Sequence, residues 1–282
     1  MGNKVYEIIT ETILKELENG SIPWHRPWVC GGAPKNLVSK KEYRGINVFL
    51  LGTQKYSSPY WLTFKQVNQL GGKVKKGEKS TIVVFWKPME VEKEKEDGEI
   101  EMKTIPFLRY YRVFNVDQCE GLKGKVPETE INPDFQPIEA CEKTINGMPK
   151  KPTIRHQEPR AYYNTLGDYV NMPHRTTFEK EEFYYSVLFH ELGHSTGHKT
   201  RLARKGFDEG AFGTASYSKE ELVAEMTAAF LCGYHKIEQQ TIKNTAAYIK
   251  GWLKKLNDDP KMVVLAAAQA QKAADFILGK LH

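Results

Sequence analysis

FHELGHSTGH, residues 189–198, carries the spacing His-Glu-x-x-His, and what that spacing asks of the backbone sets the reading of the C-terminal half. Residues four apart share one face of a helix, so His190 and His194 can present two imidazoles to one ion while Glu191 lies beside them. The surrounding EKEEFYYSVLFHELGHSTG, residues 179–197, is helical in pattern, with Phe183, Val187 and Leu192 available for packing. Zinc held in this way lowers the pKa of its water from about 15.7 towards 7, and Glu191 is the general base that accepts the proton. The expectation is one zinc ion per chain, another divalent metal being the alternative.

A third ligand has to come from elsewhere. In a metzincin the motif continues His-x-x-Gly-x-x-His; Gly197 falls at the glycine position, but the sixth residue after His194 is Thr200, and His198 comes too early. The alternative is a glutamate from a later helix, as in the His₂Glu sites of thermolysin. YSKEELVAEMTAAFL, residues 217–231, offers Glu220, Glu221 and Glu225, with Glu221 and Glu225 on one face. Glu221 as ligand, with Glu225 orienting a ligating histidine, resembles the zincin arrangement, and such outer carboxylates fix the imidazole tautomer. The competing reading is a capping box, Ser218-x-x-Glu221, in which Glu221 serves the helix start and Glu225 replaces it as ligand. His198, Tyr217 and Arg201 are near enough in sequence to be candidates for polarising a substrate carbonyl.

Outward from this motif the chain divides into two. Apolar residues recur at helical spacing over about 178–197, 218–235, 240–256 and 260–279, with a shorter helix at 138–146 and a hairpin at AYYNTLGDYVNMP before the motif. KGKVPETEINPDFQ, residues 123–136, is polar and without apolar period, which suits a linker. Before it, Val5, Ile8, Ile9, Ile13 and Leu17 make an opening helix that stops near Asn19-Gly20, and TFKQVNQLGG a short one. TIVVFWK (81–87) and FLRYYRVFNV (107–116) read as strands, and the charge-dense EVEKEKEDGEIEMK between them as the solvated tip of a hairpin. The fold class expected is therefore α+β in two domains: residues 1–122 α+β, residues 123–136 a linker, residues 137–282 mainly helical.

Composition sets the class of partner. With 40% hydrophobic and 27% charged residues the chain is a globular protein, and no stretch approaches the roughly 18 apolar residues of a membrane helix, so a cytoplasmic location is expected. The four cysteines are scattered without a CxxC pair, which points to reduced, partly buried thiols. Residues 1–125 hold 21 basic and 15 acidic side chains, whereas 126–282 hold 20 of each, so the whole net charge of +6 lies in the N-terminal half. Aromatic and basic residues interleave there: Trp24, Arg26, Trp28, Arg44, Trp61, Lys65, Lys75, Lys76 and Lys79 are candidates for binding single-stranded DNA by base stacking and phosphate contact.

GSIPWHRPW, PKNLVSKKEYRGINVFLL, SPYWLTFKQVNQLGGKVKKGEKSTIVVFW and RVFNVDQCEGL together resemble the N-terminal domain of ArdC-type antirestriction proteins, shared with certain plasmid primases. AYYNTLGDYVNMP, YYSVLFHELGHSTGHKTRLAR and EELVAEMTAAFL resemble the zincin-like domain of the same family, in the family's order. The resemblance implies an N-terminal single-stranded-DNA-binding domain, a gluzincin-type metallopeptidase domain with His190, Glu191, His194 and Glu221 at the metal-site positions, and a role on mobile elements in shielding incoming DNA from restriction. It implies a protein or peptide substrate as well, and it transfers no individual DNA contact. The rival is a non-enzymatic DNA-protecting protein whose metal domain is structural or vestigial; a structural zinc site closes with four protein ligands and has no need of Glu191.

Overall fold

A computed structural model describes residues 2–24, 33–54, 56–94, 100–127, 137–204, 215–237 and 246–280. The chain opens with α1 (Gly2–Glu18), whose Val5, Ile9, Ile13 and Leu17 form one buried stripe. Gly20, at φ +77°, ends it in the left-handed conformation that glycine adopts without cost. A four-stranded sheet follows, in the order β1 (Lys35–Asn36), β2 (Tyr60–Thr63), β5 (Ile100–Asn115), β4 (Thr81–Glu94). β1 and β2 are parallel, and the other pairs are antiparallel. α2 (Ile46–Gly52) runs along the outer edge of β4, where the Asn47 amide accepts from the Val84 N–H at 2.7 Å and donates to its carbonyl at 2.7 Å, satisfying an edge that would otherwise be open. α3 (Phe64–Gln69) starts with a Thr63/Gln66 capping box. β3 (Lys73–Val74) and β6 (Cys119–Glu120) form a separate two-stranded pair.

The second part begins with α4 (Pro137–Gly147) and a three-stranded sheet of β7 (Thr153–Arg155), β9 (Tyr169–Asn171) and β8 (Tyr162–Asn164). Helices α5 (Glu181–Ser195), α6 (Ala215–His235), α7 (Ala246–Asp258) and α8 (Met262–Ile277) complete it. This is the α+β architecture with a helical C-terminal part that the sequence implies. The long hairpin expected around the charged run 90–103 is present, and its two strands stay paired into that run as far as Glu94↔Ile100, with residues 95–99 outside the described residues. Of the segment 123–136 read as linker, residues 128–136 lie outside the described residues. Cys119, Cys141 and Cys232 are buried free thiols, and Cys30 lies outside the described residues. Among the described residues no helix is long and apolar enough to cross a membrane.

The two parts share their largest apolar core. Val5, Ile9, Ile13, Trp24 and Phe49 belong to the same cluster as Leu192, Leu222, Phe230, Trp252 and Val263. Phe49 stacks on Phe230 at 4.9 Å, Trp24 meets Trp252 edge-on at 5.9 Å, and Thr10 donates to the Pro260 carbonyl at 2.6 Å. Each fully buried side chain of this size contributes about 1.5–3 kcal/mol, so the N-terminal helix is held chiefly by the C-terminal helices it covers.

Candidate metal centre

α5 and α6 cross at close range because Gly193 has no side chain. A Cβ there would stand 3.2 Å from both the Ala224 Cα and the Thr227 Cβ. That approach brings the start of α6 against the two histidines of α5. The result is a cluster of one ligand atom each from His190, His194 and Glu221, all within 4.8 Å of one another. The two Nε2 atoms are 3.1 Å apart, and Glu221 stands 3.6 Å from His190 Nε2 and 3.5 Å from His194 Nε2. Donors about 2.0–2.1 Å from a tetrahedral ion stand about 3.3–3.4 Å apart, so these three describe three corners of such a site. Among the described residues no fourth His, Cys, Asp or Glu joins them.

The electrostatics also favour a cation. Burial works against charge on His190, but the hydrogen bond to Glu221 and the charges of Glu191, Glu221 and Glu225 outweigh it and raise its pKa to about 9. Surrounded by three carboxylates, His190 holds a proton where an ion would sit. Glu191 itself is buried beside the pair.

The outer layer differs from the sequence expectation. Glu220 faces His194 Nδ1 at 3.5 Å and is gripped by Arg204, which donates through Nε at 3.0 Å and also through Nη2. Arg204 further donates to the Gly193 carbonyl at 2.9 Å and to the Thr196 hydroxyl, so one guanidinium fastens Glu220 to the end of α5. Glu225 lies a full turn deeper, 6% exposed. It accepts from the Trp24 indole N–H at 2.7 Å and from the Tyr248 hydroxyl, and it acts on His190 through its charge. Burial pushes Glu225 above the usual carboxylate range, against the pull of the Tyr248 and Trp24 hydrogen bonds. α6 starts at Ala215, so Ser218 lies inside the helix and Ser218-x-x-Glu221 does not mark its beginning. Arg204 and the Trp24 contact had no sequence signal, since neither spacing nor pattern links residues that meet only across the fold.

Other candidates are placed as follows. Arg201 has a buried guanidinium bonded to the Ser195 and Lys150 carbonyls, Asp168 and Tyr163, a brace between the end of α5 and the β8–β9 turn. His198 bonds Thr200 at 2.8 Å and faces Asp168 at 3.9 Å. The Tyr217 side chain lies outside the described residues, as do Arg26 and Trp28. Trp24 and Trp61 are 0% and 2% exposed, which corrects their reading as stacking surfaces: both are core residues. Arg44 pairs with Asp275, and Lys75 donates to the Asp117 carbonyl at 2.7 Å. Lys65, Lys76 and Lys79 are exposed.

Comparison with known proteins adds the relationships. Residues 3–114 match the N-terminal domain of anti-restriction factor ArdC, and residues 141–269 a zincin-like metallopeptidase domain. An uncharacterized protein of Sinorhizobium fredii, y4eC, is 33% identical over 285 residues, covering 97% of this chain and 91% of its own. The DNA primase TraC of Escherichia coli is 34% identical over 291 residues, covering 97% of this chain but only 20% of the primase. Crystal structures of the antirestriction protein ArdC from plasmid R388, metal-free and Mn(II)-bound, are 37% identical, with TM-scores of 0.74 and 0.75 over 98% of this chain and 97% of theirs. Matched along nearly its whole length in both sequence and structure, with the two domains in the same order, the chain belongs to the ArdC antirestriction family.

Proposed function

We propose that this protein shields DNA arriving on a mobile element from restriction, binding it as a single strand through the basic N-terminal part, and that its zincin-like part is a zinc metallopeptidase. The observation that carries the enzymatic half is the ligand cluster itself: His190, His194 and Glu221 offer three donors to one point, with Glu191 beside them. Three protein ligands leave a position for water or substrate, as catalytic zinc sites do and structural ones do not. The Mn(II)-bound state of the R388 protein supports a divalent ion in this fold, and the His₂Glu donor set favours zinc here.

Bound zinc supplies Lewis acidity towards a peptide carbonyl and water. The protein's own residues do the rest. Glu191 takes the proton of the attacking water and passes it to the leaving amine nitrogen, and Glu220, fixed by Arg204, holds the His194 ring in place. The net charge of +6 confined to residues 1–125 and exposed Lys65, Lys76 and Lys79 support the nucleic-acid half.

Zinc-loaded wild type and Glu191→Gln, matched for metal content, incubated with restriction-enzyme subunits and with an unfolded protein, test the enzymatic half. Cleavage by the wild type alone is expected. Equal cleavage by both removes Glu191 as base, and cleavage by neither leaves a metal domain without peptidase activity.

A further inference from the structure

Trp24 and Trp61 are buried, yet the same part exposes other rings. On consecutive rungs of the β4–β5 ribbon, Phe85, Trp86, Tyr110 and Tyr111 are each 40–47% exposed. Register divides them between two faces. Val83 is opposite Tyr111 and Phe85 opposite Arg109 on one face; Val84 is opposite Tyr110 and Trp86 opposite Leu108 on the other. The second face is the one α1 covers, with Val84 and Leu108 in the shared core and Trp86 tilted against Tyr6 at 6.1 Å. The first face points away from that core. Beneath it lies a small cluster of Tyr43, Leu51, Trp61, Val83 and Val113. Above this base, Phe85 and Tyr111 meet edge-to-face at 5.4 Å, Phe85 leans on Tyr43 at 6.4 Å, and exposed Arg109 sits across from Phe85.

We propose that this open face, Phe85 and Tyr111 with Arg109, is the platform on which bases of single-stranded DNA stack. The proposal rests on the reading that the chain binds single strands, and says where. Exposed rings on a sheet are a liability for aggregation unless a ligand uses them, and rings held against a rigid base are what base stacking requires. Charge is divided in the sequence as well: residues 87–107 hold four lysines and seven acidic side chains, whereas the other residues up to 125 hold 17 basic and eight acidic side chains, a surplus that suits a polyanion. Phe85 stands four residues into β4, about 13 Å from its start at the rise of a strand, and exposed Lys76 and Lys79 lie in the segment that leads into that start. Because stacking accepts any base, the site has little sequence preference.

The test is fluorescence anisotropy of a labelled oligo(dT) strand with the full-length protein, its Phe85→Leu/Tyr111→Leu double variant, and a Trp86→Leu/Tyr110→Leu double variant of the other face. The first double variant loses about 5- to 150-fold in affinity per stacked ring with an unchanged salt slope, and the second binds as the wild type does. Arg109→Ala shallows the log–log slope by about 0.7 if it neutralises one phosphate. Both replaced rings are half exposed, so unchanged melting and metal content check the fold. Wild-type affinity in the Phe85→Leu/Tyr111→Leu protein overturns the platform while leaving single-strand binding intact. A wild type that binds no single strand removes the underlying reading too. Light scattering that shows this variant abolishing a dimer, with oligo(dT) affinity unchanged, assigns the face to a second copy and also overturns the proposal.

Discussion

Trp24→Phe separates two views of the N-terminal segment. Trp24 is fully buried and donates its indole N–H to the Glu225 carboxylate at 2.7 Å, while Glu225 charges the surroundings of His190. Phenylalanine keeps a ring against Trp252 but has no donor. Losing a hydrogen bond to a charged group costs about 1.5–3 kcal/mol, and the missing part of the indole adds about 1 kcal/mol of cavity. The expected loss of about 2–4 kcal/mol corresponds to a fall in Tm of about 3–7 °C for a chain of this size. Calorimetry of metal-free and zinc-loaded protein reads the stability. A chelator competition reads zinc affinity, which should fall about tenfold, the low end for an outer-layer partner. Oligo(dT) affinity should stay at the wild-type value, since a buried ring stacks on nothing. A variant that melts like the wild type but binds single strands more weakly would refute the reasoning and put Trp24 on the DNA.

Glu221 and Glu225 should respond in opposite orders to two measurements. Glu221→Ala costs more zinc affinity, since a lost ligand exceeds the roughly 10–100-fold of a lost support, while Glu225→Ala costs more Tm because it strands the buried Trp24 and Tyr248 donors; the reverse order in the competition assay would make Glu225 the ligand. Zinc affinity should rise with pH up to about 9, near tenfold per unit over the range where one proton leaves His190 on binding. Metal-free stability should run the other way: a folded pKa raised to about 9 from an unfolded value near 6.5 contributes up to about 3 kcal/mol below pH about 6.5, lost as pH rises through 9. A zinc affinity flat across this window in competition titrations would contradict the carboxylate-rich site.

Local pattern made much of this legible. The 3.6-residue period placed α1, α5, α6 and α8, and the four-residue spacing brought His190 and His194 together, because both signals live within one helix. Glu221 was within reach as a ligand because only acidic residues on a later helix remained once the metzincin third position proved to be Thr200. What was hidden depends on contacts between distant segments. The reach of Arg204 to Glu220, the burial of Trp24 against Glu225 and Trp252, and the burial of Trp61 among Tyr43, Leu51 and Val113 follow from packing, and a Trp beside basic residues reads the same whether it faces a base or a core. Phe85 and Tyr111 were masked by their own strand propensity: aromatic residues favour strands whichever face they occupy, and only register shows which face is open.

The central claim is that His190, His194 and Glu221 hold one divalent ion. Metal analysis after dialysis against limiting zinc, on the wild type, His190→Ala, His194→Ala and Glu221→Ala, tests it most directly. One zinc per wild-type chain and substoichiometric zinc in all three variants, each still folded by circular dichroism, is the predicted result; full zinc content in folded His190→Ala and His194→Ala proteins would contradict it.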